Sequence, residues 1–198
     1  MSYVVGIDEA GRGPLAGPVS VGVVKIPVNF NKNFFKSIKD SKKLTSEDRD
    51  LWFALALEAK KEKLLDFAVL LVSEKIIDRK GVVYAIRLGI KRCLEKLAIE
   101  EDSQIFLDGL LKAPAQFKHQ LTVVKGDEKI PVISLASICA KVIRDRRMVR
   151  LSKKFPEFSF HQHKGYGTVM HREALQKYGS TIIHRQSFLK NLTVRHTM

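Results

Sequence analysis

Gly6-Ile-Asp-Glu-Ala-Gly-Arg-Gly-Pro-Leu-Ala-Gly-Pro18 is the stretch from which the rest of this chain is best read. An apolar run (Tyr3, Val4, Val5, Ile7) delivers two adjacent acids, Asp8 and Glu9, into a glycine-rich turn. Neighbouring residues of a regular strand point to opposite faces, so the chain is expected to leave the strand at Glu9 and swing both carboxylates toward one point. Gly11 and Gly13 allow that exit, because glycine tolerates positive φ and close approach of the backbone to a ligand. Two acids beside exposed amides suit a divalent cation next to a phosphate. Gly11-x-Gly13-x-x-Ala16 also fits a dinucleotide-binding string, but that motif has to open a helix. The next residues are Pro18-Val-Ser-Val-Gly-Val-Val24, a β-branched strand, so the segment reads as a hairpin. A solvated turn that happens to carry Asp and Glu is the plainer alternative.

Outward from this stretch, Thr45-x-x-Asp48 reads as a capping box that opens a helix to about Lys63. Residues 66–73 and 104–108 are short apolar strands, the second ending in Asp108 and Gly109. A helix is expected from about Gly81 to Ala98. Leu121–Lys125 is a further strand, stopped by Gly126-Asp127-Glu128. Pro131 to about Lys154 is one long helix, small and apolar at first (Ile133, Ala136, Ser137, Ala140). Its second half, with Arg144, Arg146, Arg147 and Arg150, is too basic all round to be core. Residues 161–167 read as a loop, and Thr168 caps a helix closed by Gly179. The order of elements is α/β: a mixed central sheet flanked by helices. Residues 1–154 are expected to form one domain, and 155–198 a basic loop-helix segment packed on it.

Composition narrows the function. The chain has 198 residues, 45% hydrophobic, enough for one domain with a proper core. No run approaches the ~20 apolar residues of a membrane span, nothing resembles a signal peptide, and a cytoplasmic protein with no membrane partner is expected. Cys93 and Cys139 sit in helical patterns as buried thiols, too few for a structural zinc site. The net charge is +14, and residues 141–198 hold thirteen Lys/Arg against three acids. That imbalance is the footprint of a polyanion, most simply nucleic acid.

Three strand ends therefore carry acids: Asp8 with Glu9, Asp108, and Asp127 just past the last strand. Strands lying side by side would bring them together, and hard cations such as Mg²⁺ or Mn²⁺ take oxygen ligands from carboxylates, water and phosphate. Two such ions suit an in-line phosphodiester displacement. Asp145 competes for the fourth ligand position, but beside Lys141, Arg144 and Arg146 it reads better as an ion-pair partner. His161 and His163 could bind zinc, though alternation in a basic loop points rather to surface or phosphate contact. Ser41, Lys42 and Lys43 precede a helix and are candidates for phosphate contact.

The Gly6–Pro18 stretch resembles the N-terminal signature of type 2 ribonucleases H, the bacterial ribonuclease HII family. The likeness continues through Asp40-Ser-Lys-Lys-Leu44, Leu107-Asp-Gly109, Lys125-Gly-Asp127, residues 136–145, Lys164-Gly-Tyr166 and His184-Arg-Gln-Ser-Phe188. It implies a ribonuclease H-like fold. It also implies an endonuclease that cuts the RNA strand of RNA–DNA hybrids and nicks 5′ of ribonucleotides in duplex DNA, in repair and replication, leaving 3′-hydroxyl and 5′-phosphate ends. Asp8, Glu9, Asp108 and Asp127 match the family's four metal-binding acids, serving two Mn²⁺ or Mg²⁺ ions. Gly11-Arg12-Gly13 matches its 2′-hydroxyl sensor, and Tyr166 the aromatic that packs on the next, deoxy sugar. Sliding clamps are among the family's partners, but the last residues hold no clear docking peptide, and a monomer is expected. A resolvase or integrase on the same scaffold, and a non-catalytic hybrid binder, are the rivals that a matched pair of duplexes separates.

Overall fold

The computed structural model describes residues 3–36, 38, 44–109 and 111–190. Ser41, Lys42 and Lys43 lie outside the described residues. At the centre is a five-stranded mixed sheet, ordered β3-β2-β1-β4-β5. β1 (Tyr3–Ala10) and β2 (Val19–Pro27) form the expected antiparallel hairpin, and β3 (Asp66–Val72) pairs antiparallel with β2. On the other side β4 (Gln104–Asp108) runs parallel to β1, and β5 (Gln120–Val123) parallel to β4.

Alternation along the strands sends the two sheet faces to different helices. Val5, Ile7, Val19, Val21 and Val23 pack with α2 (Glu74–Lys80) and α3 (Val82–Lys96) in one core cluster. Val24, Ile26 and Phe67 pack with α1 (Ser46–Lys61) and α5 (Pro131–Lys154) in the other. α5 crosses β1 and β2 at very short range. A Cβ on Gly6 or Gly22 would collide with the Val132 or Ala136 carbonyl oxygen, so only glycine admits the helix here. α1 opens on the Thr45–Asp48 capping box with both reciprocal bonds made.

Several expectations need correction. α2 precedes α3 as a separate helix that was not expected, and a short 3-10 turn (Lys32–Phe35) follows β2. Asp127 sits in the single turn α4 (Gly126–Lys129) rather than in a bare loop. The stretch read as a loop at 161–167 begins as α6 (Phe160–His163), ahead of α7 (Val169–Tyr178) and α8 (Gln186–Leu189). The second half of α5 is not polar all round. Arg144 and Met148 are fully inaccessible and Leu151 is buried, because α6, α7 and the segment near Ile183 cover that face. Thr168 caps α7 and Gly179 closes it, as its sequence requires. Among the described residues no helix is long and apolar enough to cross a membrane.

Candidate active site

Strand register builds the site. Ile7 of β1 stands opposite Leu107 of β4 in parallel pairing, so the next residues along, Asp8 and Asp108, emerge side by side. β1 does not end at Glu9. Its ladder with β2 continues to Ala10, paired with Ser20, so Asp8 and Glu9 alternate as in any strand. Asp8 faces α5, where the Ser137 hydroxyl donates to its carboxylate. Glu9, on the other side of the strand, is held near Arg12 at 3.7 Å. Both nevertheless line one cleft of about 570 Å³, which takes in the end of the strand, together with Asp108, the Gly11–Gly13 turn and Tyr166.

The electrostatics of this cleft are adverse to the apo protein. Burial, then the neighbouring carboxylates of Glu9 and Asp108, push the Asp8 carboxyl well above its ordinary range, against the donation from Ser137. The Glu9 amide also donates to Asp8 Oδ1 at 2.7 Å. Asp108 is held from behind by the Gly126 amide, 2.7 Å from its Oδ1. That bond ties the end of β4 to the turn that carries Asp127. Asp127 itself is 1% exposed and does not line the cleft. The structure thus brings Asp8, Glu9 and Asp108 together in the cleft, while the fourth expected acid is buried outside its lining.

Gly11 has φ +87°, and a Cβ there would run into the Arg144 side chain, so this position requires glycine. Gly13 differs from expectation: its φ is not positive, and a Cβ would meet nothing within 4 Å. Its value in the turn is openness toward the cleft. Tyr166, 42% exposed, lies across from the turn, with Lys141 Nζ and Arg144 Cζ each 5.8 Å from its ring centroid. Asp145 takes the ion-pair role, 3.0 Å from Lys141, and does not line the cleft. His161 Nδ1 meets Ser152 Oγ, while His163 packs into a half-buried aromatic cluster and is not a surface residue.

Sequence reading missed Arg49, which lines the cleft from the first turn of α1. A signal existed, since a basic residue at a helix N-terminus opposes the macrodipole and calls for another reason to be there. It also missed Arg144 and Arg185, both 0% exposed, which grip the backbone of residues 11–18.

Comparison with known proteins decides the family. The family model described as Ribonuclease HII matches residues 5–191. The chain belongs to the ribonuclease HII family. A ribonuclease HII of Caldicellulosiruptor bescii is 45% identical over 190 residues, covering 96% of this chain and 88% of that one. One from Endomicrobium trichonymphae is 43% identical over 185 residues, covering 93% and 84%. Among solved structures, the PCNA:RNase HII complex of Archaeoglobus fulgidus aligns with TM-score 0.76 and 26% identity over 98% of both chains. The ribonuclease H2 of Pyrococcus horikoshii gives 0.71 and 29% over 93% of both. Family membership makes this chain a hydrolase, a nuclease of the ribonuclease H class acting on RNA–DNA substrates. The mixed five-stranded sheet is the ribonuclease H-like fold of those relatives.

Proposed function

We propose that this chain is an endonuclease that hydrolyses the RNA strand of RNA–DNA hybrids and nicks duplex DNA 5′ of single ribonucleotides, with two Mg²⁺ or Mn²⁺ ions. The observation that carries the reading is the pairing of β1 with β4, which sets Asp8 beside Asp108 at the mouth of the Gly11–Gly13 turn.

The donor set supports a hard cation. Among the described residues no His or Cys lines the cleft, and three carboxylates, with the Ser137 and Tyr166 hydroxyls, supply its side-chain oxygens. Among the described residues no three His, Cys, Asp or Glu side chains stand as a ready-made ligand set. A hard cation beside the three cleft carboxylates would keep waters and take substrate phosphate among its ligands. The mutual repulsion at Asp8 is relieved by positive charge at the same place. When bound, divalent cations supply the water activation and charge neutralisation that an in-line phosphodiester displacement needs. Asp8, Glu9 and Asp108 would hold them, and Asp127, beside the peptide that grips Asp108, is the fourth acid of the set.

The remaining work belongs to the protein's own groups. A 2′-hydroxyl distinguishes RNA from DNA, and it both donates and accepts. Backbone groups of Gly11, Arg12 and Gly13 can meet it closely, with no side chain on Gly13 in the way. Tyr166 offers an exposed ring to a neighbouring sugar, while Arg49 and Lys141 line the cleft as cations for phosphate.

The test is cleavage of two matched duplexes, one all-DNA and one with a single ribonucleotide, in Mg²⁺ and in Mn²⁺. Cutting of the second alone, 5′ of the ribose, is expected. Asp8→Asn and Asp108→Asn should abolish it with duplex binding kept, and Asp127→Asn, outside the cleft, should cost less. Equal cutting of both duplexes, or wild-type rates in either of the first two variants, refutes the reading.

A further inference from the structure

The loop from Gly11 to Pro18 is buried along most of its length, yet most of its carbonyls lie outside any strand ladder or helix. Two arginines from distant parts of the chain supply donors. Arg185 gives Nη2 to Gly11 O at 2.7 Å, Nη1 to Arg12 O at 2.9 Å and Nε to Gly17 O at 2.9 Å. Arg144 gives Nε to Pro18 O at 2.9 Å, Nη2 to Ala16 O at 3.3 Å and Nη1 to Lys164 O at 3.0 Å. Burial of a guanidinium costs several kcal/mol of solvation. Here the acceptors are neutral carbonyls.

The consequence lies in peptide geometry. In a planar trans peptide the carbonyl and the following N–H point in opposite directions. Gripping Gly11 O and Arg12 O therefore turns the amides of Arg12 and Gly13 away from Arg185. Both residues line the acidic cleft, and the space around Gly13 is open. We infer that Arg185 is a positioning residue for ribose recognition: its fork orients the Arg12 and Gly13 amides toward the sugar whose 2′-oxygen the turn reads. Lysine cannot reproduce this, since one ammonium lacks the planar fork that reaches three separate carbonyls. The segment carrying Arg185 is fixed in turn by Asp78 of α2, whose carboxylate accepts from the Gln186 and Ser187 amides at 2.9 Å each. This inference rests on the ribonuclease reading of the cleft, and its test separates the two.

Fluorescent duplexes, all-DNA or carrying one ribonucleotide, are titrated with protein in EDTA, and the ratio of their Kd values is taken, because the ratio is independent of the fraction of folded protein. Cleavage of the ribonucleotide duplex is then measured in Mg²⁺. Wild-type protein should favour the ribonucleotide duplex and cut it. Arg185→Lys should keep its all-DNA affinity, lose at least threefold in the ratio and at least tenfold in kcat. Asp78→Ala, a half-buried change, should move both the same way by a smaller factor, and it decides alone if Arg185→Lys does not fold. An unchanged ratio and kcat overturn the positioning role, which a merely structural arginine predicts. A wild-type protein that cuts neither duplex refutes the ribonuclease reading instead, and a wild-type ratio of one refutes the ribose-reading turn.

Discussion

Acidification from about pH 7.5 to pH 5 should weaken this protein through two buried histidines. Thr181 donates its amide to His184 Nδ1 at 2.9 Å, so the proton of that ring sits on Nε2. From there it is donated to His171 Nε2 at 3.0 Å, leaving the His171 Nδ1 proton for the Tyr166 carbonyl at 2.9 Å. The relay needs both rings neutral, since a second proton on either one sets two N–H groups against each other. Burial accordingly brings His171 and His184 each down to about 4, helped by each ring's histidine neighbours. An unfolded histidine titrates near 6.5, so between about pH 6.5 and 4 the unfolded chain binds the extra protons and stability falls as pH falls. By pH 5 one ring contributes a loss of about 2 kcal/mol. Asp8, with its raised carboxyl, works in the opposite sense and gains stability as it protonates, so the measurement has to be differential. Denaturant unfolding of wild type and His184→Gln, at steps between the two pH values, isolates the ring. The variant should be the less stable at pH 7.5, and the gap should shrink by about 2 kcal/mol by pH 5. A gap that stays constant with pH would refute the neutral relay.

Asp8→Asn removes a carboxylate held ionised against its surroundings, so above neutral pH the variant should unfold at higher temperature than the apo wild type. Mn²⁺ should raise the wild-type melting temperature and leave that of the variant nearly unmoved; a variant that melts lower than wild type contradicts the repulsion. Burial pushes the thiols of Cys93 and Cys139 up to about 11 and about 12, so a thiol reagent at pH 8 should label neither in native protein and both in denaturant. Gly22→Ala sets a methyl against the Ala136 carbonyl and should cost about 2 kcal/mol in denaturant unfolding, since α5 has to back away from the sheet.

Much of the fold was legible because it rests on local signals. The strands are short, mostly apolar runs between turn residues, and the start of α1 is written in the Thr45–Asp48 box. Pro131 and Lys154 bound α5 just as the sequence places them. The acids were legible because each ends or follows an apolar run, and parallel pairing then does the rest. What escaped is short or long-range. α2 and α6 span seven and four residues, too few for a helical period to register. β1 runs on through Glu9 because β2 holds its ladder to Ala10, a constraint that no residue of β1 announces. Asp127 reads as the residue after a strand, and nothing local announces that it sits buried in the turn of α4, next to the Gly126 amide that holds Asp108.

Arg144 and Arg185 show why local reading has this limit. A run of basic residues on a helix belongs in solvent by every rule of composition, and Arg147 and Arg150 obey it. Arg144 does not, because its length reaches carbonyls that have nowhere else to turn. A glycine-rich loop drawn into the interior beside a cleft must have its backbone oxygens satisfied, since a buried unpaired carbonyl is costly. The Gly6–Pro18 stretch therefore implies donors somewhere else in the chain. Nothing in it says that those donors, on α5 and beside His184, lie 126 residues beyond Pro18 and 168 beyond Gly17. Chemistry at the cleft is encoded next to Asp8, and the geometry that makes it selective is supplied from the far end of the sequence.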